Sequence, residues 1–119
     1  MASPACTSLI AEDELLVSRA ARLEQEQAGH TVFDAADGDE AVEVFIANYD
    51  QIDLVLLDMA MPLMNGDDAL VQMRFVDPEV KVLLFTGIVV DWQELKVDGI
   101  IQKPFGSGDI LDKGNKVLS

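Results

Sequence analysis

Cysteine occurs once in this chain, at Cys6, which rules out an internal disulfide, a thiolate zinc site and a redox pair. A lone Cys so near the start of a domain reads as a small buried or bystander residue. Basic residues are almost as scarce: 8 Lys and Arg stand against 22 Asp and Glu, for a net charge of −14. Such a surface repels the phosphate backbone of nucleic acid and discourages contact with anionic membranes. No apolar stretch approaches the ~20 residues that a membrane-spanning helix requires. The opening Met1 to Thr7 has neither a positive charge nor a long apolar run, so no secretory signal is read and a cytoplasmic location is expected. Glycine-rich phosphate loops are also missing: the first apolar run is followed by Glu12-Asp13-Glu14, which would repel a pyrophosphate.

What is present is the composition of an ordinary folded domain. Of the 119 residues, 50% are hydrophobic and 25% charged, enough apolar material to offset the entropy of ordering one core. Five short apolar runs alternate with segments of helical period. The runs are Ser8 to Ala11, Thr31 to Ala35, Leu54 to Leu57, Val80 to Phe85 and, weakest, Gly99 to Gln102. The third and fourth are nearly continuous in apolar residues, the pattern of strands covered on both faces.

Between them, Leu16, Ala20 and Leu23 suggest the apolar stripe of a first helix stopped by Gly29. Asp37-Gly38-Asp39 opens a second, with Ala41, Val42, Phe45 and Ile46 facing inward. A third begins near Gly66-Asp67, carries Ala69, Leu70 and Met73, and ends at Asp77-Pro78. A fourth is confined to about Val89 to Leu95 and must be short. The last has Ile110, Leu111, Val117 and Leu118 on one stripe, weakened by Gly114 in its interior. Residues 1–7 read as an N-terminal extension and 8–119 as the folded unit. This alternation predicts an α/β fold with a parallel sheet, right-handed crossovers and helices on both faces.

Ligands of such sheets sit outside the carboxyl ends of the strands, where strand order switches. The residues at those ends are Glu12-Asp13, Asp58, Thr86-Gly87 and Lys103-Pro104. Three carboxylates, a hydroxyl and an ammonium would converge on one rim. Crowded carboxylates repel, and a hard divalent cation relieves them; oxygen-only ligands suit Mg²⁺. A cation so held is the usual companion of a transferring phosphoryl group. Lys103 would supply a second positive point for phosphate oxygen and the Thr86 hydroxyl a hydrogen-bond donor. Taken singly, each element has a plainer reading. Glu12-Asp13 could be the acidic first turn of a helix, Asp58 a turn residue, and Thr86-Gly87 an ordinary strand exit.

The string Leu56-Leu57-Asp58-Met59-Ala60-Met61-Pro62-Leu63-Met64-Asn65-Gly66 resembles the phosphoacceptor segment of response-regulator receiver domains. The acidic pair after the first run, Thr after the fourth and Lys-Pro-Phe after the fifth complete the resemblance, which covers Leu9 to Leu118. It implies a flavodoxin-like (βα)5 fold, a doubly wound parallel five-stranded sheet with the fourth helix shortened. Asp58 would take a phosphoryl group from a histidine kinase or phosphotransfer domain. Glu12, Asp13, Asp58 and the Ala60 backbone carbonyl would hold Mg²⁺. Lys103 would pair with the aspartate and Thr86 would act as the switch hydroxyl. The domain would then change its affinity for a downstream protein partner, with no catalysis beyond its own phosphorylation and dephosphorylation.

Two departures concern output. Ile100 stands where the family often has an aromatic switch residue, and the stretch from Thr86 to Lys103 is several residues short. The dimer typical of transcriptional regulators is therefore not expected. The region after Thr86 is similar to that of receivers attached to sensor kinases, which points to an excised domain rather than a stand-alone one. A degenerate receiver, docking without phosphorylation, is the alternative. An aspartyl phosphatase of the haloacid dehalogenase type is disfavoured, because Ala60 stands where its second Asp is needed. His30 reads as a surface or packing residue and Trp92 as a packing or contact residue.

Overall fold

The computed structural model describes residues 5–59, 66–86, 97–102, 106 and 108–118. Within them lie five strands: β1 (Thr7–Ala11), β2 (Thr31–Ala35), β3 (Leu54–Asp58), β4 (Lys81–Thr86) and β5 (Gly99–Gln102). The helices described are α1 (Leu15–Gln27), α2 (Gly38–Asn48), α3 (Gly66–Val76) and α4 (Asp109–Leu118). The strands form one sheet in the order β2-β1-β3-β4-β5, and every pair is parallel. The expected architecture is present, with β1 starting one residue earlier than the apolar run suggested. The segment predicted to hold a short fourth helix lies outside the described residues.

Alternation along the strands divides the core in two. Leu9, Ala11, Val55, Leu57, Val82 and Leu84 face α2 and α3, which contribute Ala41, Val42, Phe45, Ala69, Leu70 and Met73. Ile10, Leu54, Leu56, Leu83 and Phe85 face the other way, toward Ala21 of α1 and Ile110 of α4. All five residues of β3 are buried, as its continuous apolar reading requires. Each fully buried Phe or Leu contributes roughly 1.5–3 kcal/mol by leaving water, so both helix layers are needed to hold the sheet.

Local chemistry sets the helix ends. The Asp37 side chain caps α2 by accepting the Glu40 N–H at 2.8 Å. In return, the Glu40 carboxylate accepts the Ala36 N–H. Gly29, at φ +90°, stops α1: its N–H donates to Glu26 O and the His30 N–H to Gln25 O, the paired bonds of a Schellman turn.

Three expectations need correcting. The stripe Leu16-Ala20-Leu23 faces solvent; α1 buries Ser18, Ala21 and Gln25 instead. The phase of the helix is fixed by its start directly after the β1 turn, where Glu12 Oε2 accepts the Glu14 N–H at 3.1 Å. Ile46 likewise is exposed, while Ala41, Val42 and Phe45 are buried as read. Gly114, read as a weak point of the last helix, has a packing reason: a Cβ there would lie 3.3 Å from Leu54 Cδ2. It lets α4 settle onto β3.

Ser8 Oγ is fully buried, on the same side of β1 as Ile10, and has no hydrogen-bond partner among the described residues. Leaving a hydroxyl so placed costs about 1–3 kcal/mol. Ser8→Ala is therefore expected to stabilise the fold by about 1 kcal/mol, read as a higher urea midpoint with an unchanged m value.

Candidate functional site

The carboxyl rim of the sheet is built by register. Ala11 lies beside Leu57 and Asp58 beside Phe85, so Glu12 follows β1 next to Asp58, and Thr86 ends β4 one residue further on. The β1–β3 boundary is also where the chain's strand order reverses, because β2 flanks β1 on the opposite side. Asp58 and Glu12 are buried, Thr86 is buried beside them, and Asp13 is exposed.

One carboxylate oxygen from each of Glu12, Asp13 and Asp58 lies within 4.8 Å of the other two. Two unit negative charges about 5 Å apart repel by roughly 3 kcal/mol at an effective dielectric of about 20. Neighbouring backbone holds the group in place. Glu12 N–H donates to Ala35 O at 3.0 Å, and Glu12 Oε2 accepts from Glu14, which fixes the turn that presents Asp13. Met59 N–H donates to Phe85 O just past Asp58, extending the β3–β4 ladder by one bond.

A donor set of three carboxylates with no nitrogen or sulfur fits a hard divalent cation such as Mg²⁺. Its half-open shape, two ligands buried and one exposed, fits an ion that keeps part of its water. Ala60, Lys103 and Pro104 lie outside the described residues, as do Ile88 and Trp92. β5 is described up to Gln102, the residue before the lysine.

The remaining candidates are remote from this rim. His30 is buried at the opposite edge, where its Nδ1 accepts the Cys6 N–H at 3.0 Å; it packs the start of β1. Cys6 sits there too, half-buried, and burial together with the nearby Asp53 charge raises its thiol pKa. A thiol so disposed is a poor nucleophile at neutral pH. Sequence reading missed the role of Asp98 at the start of β5. Its carboxylate accepts the Val82 N–H at 2.8 Å and pairs with Arg74 at 3.4 Å and Lys81 at 3.9 Å, tying α3 and β4 to β5. Nothing in the local pattern around Asp98 announces this, since its partners are distant in sequence.

Comparison with known proteins agrees with this geometry. The response regulator receiver domain pattern matches residues 8–115. The autoinducer 1 sensor kinase/phosphatase LuxN of Vibrio harveyi is 32% identical over 102 residues, 82% of this chain and 12% of LuxN. The sporulation initiation phosphotransferase F of Bacillus subtilis is 33% identical over 95 residues, 76% of this chain and 75% of its own length. Among solved structures, the CheX-CheY-BeF3-Mg+2 complex from Borrelia burgdorferi matches with a TM-score of 0.89 at 25% identity, over 96% of this chain and 90% of that one. The chain belongs to the response-regulator receiver family and is a phosphoacceptor signalling domain of the two-component type. It spans about an eighth of the length of the sensor kinase it matches.

Proposed function

We propose that Asp58 is the phosphoacceptor, that Glu12, Asp13, Asp58 and the Ala60 carbonyl hold Mg²⁺, and that the donor is a histidine kinase or phosphotransfer domain. The observation that carries this reading is the approach of three carboxylates within 4.8 Å at the switch in strand order. The working unit is residues 8–119, with 1–7 preceding it, acting in the cytoplasm. A carboxylate oxygen of Asp58 attacks phosphorus; the P–N bond to the donor imidazole breaks, and the leaving nitrogen keeps the electron pair and takes up a proton. Mg²⁺ supplies charge neutralisation for the transferring oxygens. Lys103 pairs with the aspartate and then with its phosphoryl group, and the Thr86 hydroxyl donates to that group. Burial of Asp58 limits the access of water to the acyl phosphate. The catalysis proposed is confined to formation and hydrolysis of this one bond, and its consequence is a change in affinity for a downstream protein. The reading of the chain as a degenerate receiver, with no phosphorylation at Asp58, is not favoured.

Mg²⁺ binding to the folded chain alone should raise stability, by about 2.7 kcal/mol at a hundredfold excess over its Kd. Thermal melts with and without Mg²⁺ read this, and Asp13→Asn combined with Asp58→Asn should remove the response. Incubation with Mg²⁺ and a small-molecule phosphodonor should add one phosphoryl mass to the intact protein, and the addition should vanish in Asp58→Asn. No addition to a folded protein given a donor of proven reactivity would overturn the proposal.

The lifetime of the modified state also follows from the side chains. Neither Ala60 nor Ile88 has a side-chain group that could hydrogen-bond a hydrolytic water, so self-dephosphorylation should be slow. Polar replacements at both positions are expected to shorten the phosphoryl half-life; an unchanged half-life would refute this.

A further inference from the structure

The α2–α3 layer carries a surface that phosphoryl chemistry does not use. Both helices run from the carboxyl rim back to the opposite edge of the sheet, side by side over the same core cluster. Their inner faces are spent on that core. On the outside of α3, Phe75 is 90% exposed and Val71 69%; Ile46 of α2 and Tyr49 just past its end are exposed as well. Tyr49 and Phe75 are the exposed aromatic side chains among the described residues; Phe45 and Phe85 are buried and Phe33 is partly so. Aromatic side chains anchor protein interfaces because they bury much area at little cost in rotamer entropy.

Among the described residues the surrounding charge is mostly negative. Asp39, Glu43, Asp50, Asp68 and Glu79 are exposed on or beside the two helices. Arg74, the cation of α3, already bonds Asp98 and the Pro78 carbonyl. The outer face of α1 differs, with Arg19 and Arg22 set among its acids. Apolar anchors inside an acidic rim fit a basic partner, whose ammonium or guanidinium groups meet both the carboxylates and the aromatic faces. A second copy of this chain brings the same negative surface, and nucleic acid or anionic lipid is repelled.

We infer that the α2–α3 face, centred on Phe75 and Val71, docks a basic amphipathic helix of a partner protein. It lies away from the Glu12–Asp13–Asp58 cluster and does not depend on phosphorylation of Asp58. Failure of the phosphoacceptor reading would therefore leave it standing, and its own failure would leave that reading intact.

The test uses the full chain and a synthetic amphipathic helix of leucine and lysine, about 15 residues long so that it can fold. Titration by NMR is run at about 0.15 M salt, where long-range attraction to the net charge is screened. The expected result is amide shift changes clustered on α2 and α3, with Asp58→Asn binding equally well. Phe75→Ser with Val71→Ser should weaken binding about tenfold or more, as truncation of interface anchors does. Leu16→Ser with Leu23→Ser, on α1, should leave it unchanged. Because Phe75 and Val71 are exposed, the first variant should melt like the parent, which separates lost docking from lost fold. Absence of binding, shifts scattered over all acidic surfaces, shifts centred on α1, or equal binding by both variants would each overturn the inference. So would sedimentation showing that the face is covered by a second copy.

Discussion

The repulsion among Glu12, Asp13 and Asp58 is the constraint around which the carboxyl rim is organised. Parallel pairing of β1 with β3 leaves these groups nowhere else to go: the same hydrogen bonds that stabilise the sheet fix Glu12 beside Asp58. Side-chain freedom cannot relieve the crowding, because two of the three are buried and Glu12 is tied to the backbone of the following turn. Positive charge bound at this cluster therefore adds stability to the folded chain. Active-site electrostatics and fold stability are linked in this way.

The sheet can carry that load because it is supported from both sides by layers of different character. α2 and α3 meet it with a continuous aliphatic and aromatic cluster around the fully buried Phe45. α1 and α4 meet it with the large aliphatic Ile110 and otherwise with small or polar contacts: Ser18, Ala21, Gln25 and the bare backbone of Gly114. The first layer supplies much of the apolar burial. The second brings helices close to the strand that bears Asp58, where side-chain volume is restricted.

Sequence pattern made most of this legible. The runs at β3 and β4 could be identified because strands buried on both faces must be apolar throughout, and the strand-end residues then followed from topology. The turn at Asp37 and the stop at Gly29 were readable because capping is local chemistry. The inward face of α1 was not. Its leucines form a convincing stripe, yet the helix phase is set by the Glu12–Glu14 turn, and close packing favours Ala21 over a larger residue. Gly114 misled for a related reason: helix propensity is local, whereas contact with Leu54 is not. The Asp98 node joins residues from three elements, and His30 meets Cys6 across 24 positions; no window of sequence holds such pairs together. Ala60, by contrast, was assigned through resemblance alone.

The adjacency of β4 and β5 has a consequence for how such a domain can diversify. The two strands are hydrogen-bonded neighbours, Leu83 beside Gly99 and Thr86 beside Gln102, and Asp98 clamps the entry to β5 through Val82 and Arg74. Because the two strands are parallel, the chain leaving Thr86 must cross back along the sheet before it can enter β5 beside Leu83. Beyond the dozen or so residues that a parallel crossover needs, each doubling of its length costs only about 0.6 kcal/mol more. Residues can thus be gained between these strands at little cost to folding, while the contour offered to other proteins changes with every residue. Lineages with the same phosphoryl chemistry could in this way come to address different listeners.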